Sequence, residues 1–407
     1  MALTKLNSLS IPANTVVATD IADGSITSAK LADDAVTSAK IADDAVVTAA
    51  IADDAVVAAA IADDAVVAAA IADNAVVTAA IADDAVTTAK TTVTSPNPNL
   101  MMNSAMTVFQ RGGLSGQSGT TSVYGGVDRW QLELRNVGTY SFSQGSTRPD
   151  GFNNSMYVQC TTADASLDAN SYGHLTYKFE GHDLAVFKKG TSGALPFALS
   201  FWTRSSKTGT YVVRMRDNTN ARYISRNYTI STADTWEYKT IVIPADTTGV
   251  FSQGTTSALS VYFWFSAGTN YTSGSPESAW GAAAATTLAP SQVNLSDTAN
   301  AIMFWTGVKL EAASACTAYE HPDHQTELLK CQRYYYKMDP NQYLYGGDYG
   351  GNSITVMHHP VQMRATPTVT YTSNGTVAAT YHSYNFIQVY TSGTAKAITA
   401  AYADAEI

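Results

Sequence analysis

The 407-residue sequence predicts an elongated, trimeric, mainly β architecture: a decapeptide-repeat shaft, a central β-sandwich of the jelly-roll type and a small C-terminal β domain. Two patterns and one change of composition predict it. A ten-residue unit repeats head to tail, many short runs then alternate apolar and polar residues, and the last part of the chain is rich in Tyr, Gly and Asn. The predicted segments are a leading segment 1–20, the shaft 21–90, a linker 91–104, the sandwich 105–322, a connecting helix 323–338 and the C-terminal domain 339–407.

The overall composition argues against several classes of protein. Lys and Arg total 24 against 34 Asp and Glu, a net charge of −10 without clustered basic residues, so nucleic acid is not an expected partner. Uncharged apolar runs stay below the ~18 residues that cross a bilayer, and the first residues lack a secretory pattern, so neither membrane insertion nor export is expected. The three Cys residues have no paired spacing, so we expect no disulfide framework, no metal site and no cofactor.

The shaft consists of copies of a decapeptide such as IADDAVVAAA. Its fourth position holds Gly24, Asn74 or Asp, the residue types that best tolerate positive φ, so we expect a left-handed residue there in every copy. The Ala-rich stretch before it favours a short helical turn, with Thr27, Thr37 and Thr87 at the N-cap positions. Each unit is therefore predicted to combine a helical turn, a left-handed stop and a short extended step.

Large apolar residues of the shaft recur every five positions, which fits neither a long helix nor a coiled-coil heptad. A single chain with so few of them buries too little apolar surface to offset the entropy of ordering it. We therefore expect three parallel chains around a shared axis, with the carboxylates facing water. Calcium held between the carboxylates and a disordered linker are the alternatives. The axis positions are Ile41, Val46, Ile51, Val56, Ile61, Val66, Ile71 and Val76.

The central region contains none of the usual catalytic motifs: nucleophile elbow, phosphate-binding loop, dinucleotide fingerprint or metal-ligand cluster. His174 and His182 are expected to be structural or surface residues. A carboxylate pair for glycoside cleavage stays open, because acids fall on several strands and none stands out. The acids are Asp128, Glu133, Asp183, Asp217 and Glu237, and the predicted strands are 140–143, 156–160, 175–179, 198–203, 211–216, 238–243, 259–265 and 301–310.

The C-terminal region combines one helix with several short strands. Asp323 is placed to cap a helix beginning near His324, Asn374-Gly375 is a strong hairpin signal, and strands are expected at 386–390 and 397–402. Tyr offers rigid contact area and a hydroxyl, which suits ligand recognition, although a role in the core or at a subunit interface is the alternative. The candidate ligand-binding residues are Tyr343, Tyr345, Asp348, Tyr349, Asn352, His382, Tyr384 and Asn385.

Three segments follow one another in a distinctive order. NPNLMMNSAMTVFQRG (97–112) and VDRW (127–130) resemble the opening of jelly-roll modules in tail-fibre proteins of tailed bacteriophages. FWTGVKLEAASACTAYEHPDHQTELLKCQRYYYK (304–337) resembles the end of the same module. The decapeptide array is similar to shafts of fibres from marine and cyanobacterial phages. Such modules resemble carbohydrate-binding jelly rolls, although a fold alone does not identify a ligand.

This resemblance implies a trimeric tail fibre located in the virion and assembled in the host cytoplasm. Residues 1–20 would bind phage tail or adaptor proteins, and the C-terminal domain would recognise a host surface polysaccharide or an outer-membrane receptor. Adsorption would be reversible and multivalent, without enzymatic activity. The alternatives are a fibre-borne polysaccharide depolymerase and a purely structural virion protein with the receptor bound elsewhere.

Overall fold

The computed structural model describes residues 12, 15–42, 98–338, 344–345, 347–392 and 397–407. The chain forms two compact units, Met1–Thr91 and Thr92–Ile407. Of the predicted axis positions, Ile41 is described, and those from Val46 onward lie outside the described residues.

The described backbone of the first unit repeats every ten residues. A 3-10 turn recurs at Ala18–Asp20, Ser28–Lys30 and Ser38–Lys40, where the sequence predicts a helical turn. Gly24 and Asp34 occupy the fourth position of two copies, and their φ angles of 72° and 59° confirm the predicted left-handed residue in these two copies. In the described copies the sequence pattern therefore corresponds to a backbone repeat.

Short-range polar contacts stabilise these turns, while the large apolar side chains remain exposed to water. Lys30 Nζ donates to the carbonyl of Ser25 at 2.6 Å. Thr27 occupies the predicted N-cap position, but its hydroxyl makes no capping hydrogen bond. Ile41 is 43% exposed, like the other large apolar residues of the described copies. One chain of this repeat thus leaves its apolar surface in water. The other exposed residues are Val16, Val17, Ile21, Ile26, Leu31 and Val36.

The second unit begins with eleven strands that form one curled β-sheet among its described residues. They are β1 (Leu114–Tyr124), β2 (Trp130–Gly145), β3 (Ser155–Thr162), β4 (Tyr172–Glu180), β5 (Phe197–Ser205), β6 (Gly209–Asp217), β7 (Arg222–Ile230), β8 (Glu237–Ile243), β9 (Ser257–Ala267), β10 (Gly281–Ala282) and β11 (Ile302–Ala312). Their order in the sheet is β10-β7-β6-β9-β4-β2-β3-β11-β5-β8, and β1 pairs with β2. All of these pairs are antiparallel.

The sheet becomes a two-layered sandwich because β2 contributes to both layers. Its residues 130–135 pair with β4, whereas residues 139–145 pair with β3. Asn136 lies between these stretches with a φ of 47°, and a Cβ on Gly138 would lie 2.1 Å from the carbonyl oxygen of Thr162. A left-handed residue and a glycine thus let the strand bend from one layer into the other.

Aromatic side chains fill the space between the layers. Phe263 of β9 meets Phe201 of β5 edge-on at 5.2 Å, and Trp305 of β11 lies 6.3 Å from the same ring. Trp130 and Trp305 are fully buried. The predicted mainly β fold with a jelly-roll-like sandwich is confirmed, and every predicted strand overlaps an observed one.

Asparagine side chains before residue 105 bind the backbone of the sandwich. Asn99 Nδ2 donates to the carbonyl of Val308, and Asn103 Nδ2 donates to the carbonyl of Asp128, both at 2.9 Å. These asparagine side chains supply hydrogen bonds to backbone carbonyls of the sandwich. Residues 98–104, the end of the predicted linker, are therefore fixed to the sandwich.

Helical segments connect and flank the strands of this unit. Asp323 Oδ2 accepts from Thr326 N at 2.9 Å, which confirms the predicted N-cap of the helix after the sandwich. This helix has nine residues and is the longest α-helix among the described residues. It is well short of the ~20 residues that a helix needs to cross a bilayer. The helices are α1 (Thr269–Thr272) and α2 (His324–Gln332), and the 3-10 segments are Gly181–Phe187, Ala285–Thr287 and Leu295–Asp297.

The C-terminal part of the second unit forms two small sheets around a core rich in methionine. Its strands are β12 (Tyr335–Lys337), β13 (Leu344–Tyr345), β14 (Gly347–Tyr349), β15 (Asn352–His358), β16 (Thr368–Ser373), β17 (Val377–His382), β18 (Phe386–Ser392) and β19 (Ala397–Asp404). β19 pairs with β12, β13 and β16, and the other sheet has the order β14-β15-β18-β17. Met338, Met357 and Met363 pack between them, since flexible thioether chains fill irregular gaps.

The hairpin predicted at Asn374-Gly375 is wrong. β16 before it pairs with β19, and β17 after it pairs with β18, so the chain changes sheets at this turn. Asn374 Oδ1 accepts from Ala397 N at 2.7 Å, and Asn374 N donates to Ala397 O at 3.2 Å. The asparagine thus binds the start of β19 instead of closing a hairpin onto β17.

The motifs that carry the resemblance hold the sandwich against the C-terminal sheets. Arg129 of the VDRW motif is 1% exposed, and its Nη1 pairs with Glu406 Oε2. Its guanidinium lies 3.4 Å from the centroid of the Tyr334 ring, which belongs to the CQRYYYK motif. Arg111 of the QRG motif pairs with Asp404 Oδ2 at 2.6 Å. These motif residues therefore form a structural joint.

Candidate functional site

The sequence-predicted site residues lie mostly on strands of the C-terminal sheets. Tyr345 belongs to β13, Asp348 and Tyr349 to β14, and Asn352 begins β15. The side chains of Tyr345 and Tyr349 lie outside the described residues, as does all of Tyr343. Gly350 and Gly351, with φ of 57° and 82°, close a two-residue hairpin between Tyr349 and Asn352. The expected loop is therefore largely a hairpin.

The remaining predicted residues lie at the other end of the same sheet. His382 ends β17, and Tyr384 and Asn385 form the turn into β18; all three are exposed. Phe386, which follows them, pairs with His358 at the end of β15, whereas Asn352 begins that strand. The six residue steps from Asn352 to His358 along β15 span roughly 20 Å. The structure thus separates the two predicted groups and does not form one site from them.

Another surface combines aromatic rings with cationic and amide side chains. It is the outward face of β2, β4, β9, β6 and β7, which we call the aromatic–arginine face. Side chains directly opposite each other on paired strands share a face, so the strand registers define it. Its rows are Gln131-Thr176-Tyr262-Arg214-Ser225, Glu133-His174-Trp264 and Lys178-Ser260-Arg216-Tyr223.

Strand alternation places these residues outward. In β9, Val261, Phe263 and Phe265 point into the core, so Tyr262 and Trp264 point to the opposite face. The sequence predicts a strand at Leu259–Phe265 but does not mark the aromatic residues at its outward positions as a site. The signal in the sequence is that Tyr262 and Trp264 are aromatic where an alternating strand carries polar residues.

The rings of this face contact one another closely. Tyr172 stacks on His174 with centroids 5.1 Å apart and planes at 6°, and His174 lies 4.9 Å from Trp264. The guanidinium carbon of Arg214 lies 4.5 Å from the Tyr262 centroid. Tyr262 and Arg214 are each 8% exposed, and Tyr172 is half-buried. The face is thus recessed and presents ring edges and faces side by side.

A short hydrogen-bond chain crosses two rows of the face. The Thr176 hydroxyl donates to Glu133 Oε1 at 2.8 Å and lies 3.1 Å from His174 Nδ1. Because the hydroxyl proton goes to the carboxylate, His174 Nδ1 is the donor to the threonine oxygen. Burial lowers the pKa of His174 to about 4, although the negative charge of Glu133 acts in the opposite direction and raises the pKa. His174 is therefore neutral at pH 7.

Several buried polar atoms of the face have no hydrogen-bond partner among the described residues. Buried polar groups are normally satisfied, so a cluster of unsatisfied ones marks a place where a ligand or water completes them. Donors and acceptors are both represented, which suits a ligand with many hydroxyl groups. The atoms are Gln131 Oε1, Arg214 Nε, Arg216 Nε, Asn227 Oδ1 and Trp264 Nε1.

The segment 268–293 covers one end of the face. Tyr271 and Leu288 pack against the cluster that contains Trp264, which is 2% exposed. Gln292 Oε1 accepts from the backbone of Val212 on β6 at 2.9 Å. The cover also reaches the middle row, because the Ser225 hydroxyl donates to the carbonyl of Thr287 at 2.8 Å and Tyr262 belongs to the same cluster as Trp264. The half-buried Lys178, Arg216 and Tyr223 form the more exposed row, and Tyr262 and Arg214 lie beside it.

The acidic residues singled out in the sequence have separate partners. Asp217 pairs with Lys189 at 2.6 Å, and Asp128 Oδ2 accepts from Gln110 Nε2 at 2.6 Å. Glu237 accepts from the backbone of residues 231 and 232, and Asp183 lies beside His182, which is partly exposed. Only Glu133 of this set lies on the aromatic–arginine face. Within the described ranges, no group of three His, Cys, Asp or Glu side chains is arranged to hold a metal.

Comparisons with known proteins give only remote likenesses. The enzymatically active domain of tailspike protein 4 of bacteriophage CBA120 is 14% identical with a TM-score of 0.26; the match covers 45% of this chain and 19% of that one. A family 11 carbohydrate-binding module from Clostridium thermocellum is 12% identical with a TM-score of 0.26, over 48% and 98%. The module TmCBM61, in complex with β-1,4-galactotriose, is 8% identical with a TM-score of 0.26, over 53% and 99%. No protein-family model and no curated protein sequence matches the chain. Similarities this low assign no function to it.

Proposed function

We propose that this chain is a glycan-binding protein of a phage tail fibre and that the aromatic–arginine face binds the glycan. One observation carries the proposal: recessed rings and five unsatisfied buried polar atoms occupy a single face of the sandwich. Sugar rings offer apolar C–H faces that pack on aromatic rings, and hydroxyls that both donate and accept hydrogen bonds. Tyr262 and Tyr223 supply the rings, and Gln131 and Arg216 supply the polar atoms.

Adsorption to a host cell is the role that fits such a site in a fibre. The resemblance of residues 97–112, 127–130 and 304–337 to phage tail-fibre modules supports it. We further propose a homotrimer, because the described copies of the repeat leave their apolar side chains exposed and a single chain cannot bury them. Three weak sites on one fibre raise avidity without tight single contacts. Residues 1–20 would then bind tail or adaptor proteins of the virion.

Binding without cleavage is favoured over a depolymerase by the placement of carboxylates. Glu133 accepts from Thr176 on β4, and Glu277 accepts from Ser225 on β7. β9 and β6 lie between these strands, so three inter-strand steps of ~4.8 Å, roughly 14 Å in all, separate Thr176 and Ser225, which bind the two carboxylates. Paired glycosidase carboxylates lie about 5–9.5 Å apart. Glu133 and Glu277 are therefore too far apart to act as such a pair.

The test is binding of the full chain to an array of bacterial envelope polysaccharides. We expect the wild type to bind at least one of these polysaccharides. Tyr262→Ala should weaken that binding by about tenfold or more, because loss of a central, recessed ring commonly costs over 1 kcal/mol. The matched control is Tyr384→Ala at an exposed turn of the C-terminal sheet, which should bind like the wild type. Retention of no polysaccharide, or loss confined to Tyr384→Ala, would contradict the proposal.

A further inference from the structure

The guanidinium of Arg214 is buried without an anionic partner. The residue is 8% exposed, its Nε has no hydrogen-bond partner, and it takes part in no ion pair among the described residues. Its neighbours are rings: Tyr262 at 4.5 Å, Tyr223 at 4.9 Å and Trp264 at 5.9 Å from the guanidinium carbon. Burying a charge is costly unless an opposite charge or hydrogen bonds compensate it, and ring faces compensate it only in part.

The charges around Arg214 leave the face with an excess of cations. Arg216 lies two residues further along β6, with an unsatisfied Nε and its guanidinium 5.4 Å from the Tyr223 centroid. The carboxylates near the face already have partners: Glu133 accepts from the Thr176 hydroxyl, and Glu277 accepts from Ser225 N and Oγ at 2.8 and 2.5 Å. Neither carboxylate forms an ion pair with the two arginines.

We propose that the glycan bound by this face carries an anionic substituent, and that its oxygens bind the guanidinium of Arg214 with Arg216 beside it. The inference rests on the proposed glycan-binding function and names the class of glycan. A guanidinium presents a planar set of donors that matches a carboxylate, phosphate or sulfate group, and such charge-assisted hydrogen bonds are the stronger kind. A bound anion also supplies the compensation that the buried charge lacks in the chain itself.

The aromatic surroundings of Arg214 make its substitution by methionine an informative variant. Arg214→Met removes the charge and keeps an unbranched apolar side chain against the same rings. Because the guanidinium has no hydrogen bond or ion pair to lose, Arg214→Met should fold and unfold like the wild type. Arg214→Lys is the second variant, since it keeps the charge and loses the planar set of donors. Arg148→Met removes the same charge at an exposed position and serves as the control.

The experiment uses the envelope-polysaccharide array, with each retained polysaccharide also tested in a neutralised form. Carboxyl reduction, dephosphorylation and desulfation are the three arms, and they distinguish uronic acids from phosphate and sulfate. The wild type is expected to retain acidic polysaccharides and to lose about tenfold or more in affinity when the acid is neutralised. Arg214→Met should lose a similar factor on the acidic form, Arg214→Lys should lose less, and Arg148→Met should lose nothing.

Two outcomes would overturn the inference and leave glycan binding intact: retention of neutral polysaccharides alone, or equal affinity of the wild type and Arg214→Met for an acidic one. Retention of no polysaccharide at all would instead remove the proposed function, and the inference with it. The three failures are therefore distinguishable in one assay.

Discussion

At the scale of the residue, His174 shows how burial on the aromatic–arginine face sets the charge of a side chain. Its ring is 5% exposed between Tyr172 and Trp264. The largest influence on its pKa is desolvation, which disfavours the charged form and lowers the pKa to about 4. The neutral ring donates to Thr176, so the pair contributes a hydrogen bond and a flat surface at pH 7 and no positive charge.

This pKa predicts how acid affects the protein. In the unfolded chain His174 titrates near its ordinary pKa of 6.5, so between about pH 6.5 and pH 4 the unfolded state binds a proton that the folded state does not. Stability from this group is therefore complete above about pH 6.5 and falls by up to about 3 kcal/mol as the pH falls to 4. Urea unfolding of His174→Gln across this range should show a flatter pH profile than the wild type. Parallel profiles would show that His174 is not buried in its neutral form.

At the scale of the element, the joint between the sandwich and the C-terminal sheets depends on side chains that lie far apart in sequence. Arg364 Nη1 donates to the carbonyl of Thr255 in the sandwich at 2.9 Å, and Arg333 pairs with the buried Glu180 at 2.9 Å. With the pairs of Arg111 and Arg129, four arginines thus fix this joint. These contacts make the joint specific, because each arginine has a defined acceptor.

The pair of Arg129 and Glu406 gives a sharp prediction at this scale. Glu406→Ala leaves the guanidinium of Arg129 buried without its carboxylate, which should lower the free energy of unfolding by about 3–5 kcal/mol. Equilibrium denaturation in urea measures the loss. Glu320→Ala removes the same charge at an exposed position and should stay within about 0.5 kcal/mol of the wild type. Similar midpoints for the two variants would refute the role given to this pair.

Elements also show what the sequence could and could not predict. β9 was predictable because the run Leu259–Phe265 is short, apolar and rich in aromatic residues, which favours a buried strand, and the structure buries it on both faces. β1 was not, because its LSGQSGTTSVY sequence has few apolar residues, and it forms by pairing with β2. The Asn374-Gly375 prediction failed because turn propensity is local, whereas strand partners are chosen by burial across the whole sheet.

At the scale of the whole molecule, the site itself was the hardest feature to predict. Tyr262, Arg214 and Gln131 come from strands that are distant in the chain, and only the registers of four strands bring them into one row. A tyrosine-rich stretch is visible in the sequence and led to residues 343–352 and 382–385. The sequence does not show which residues form a row across a sheet, because the rows depend on the order in which the strands pair. The repeat, in contrast, is a local property, and its backbone was predictable in the described copies.

The oligomeric state is a prediction at this scale. If the apolar side chains of the repeat face one another around an axis, the native protein is a trimer of a 43.1 kDa chain. Light scattering on the native protein should then give about three times that mass. A mass of one chain would remove the reason for a shared axis and leave Ile41 and its counterparts exposed to water.

The location of the glycan is the central claim, and hydroxyl-radical footprinting of tyrosines tests it most directly. The wild type is labelled with and without a polysaccharide that it binds, and modification is read at each tyrosine. The account predicts that the polysaccharide protects the half-buried Tyr223 of the aromatic–arginine face and leaves the exposed Tyr381 and Tyr384 unchanged. Protection of Tyr381 and Tyr384, with Tyr223 unchanged, would contradict it and move the site to the C-terminal sheet.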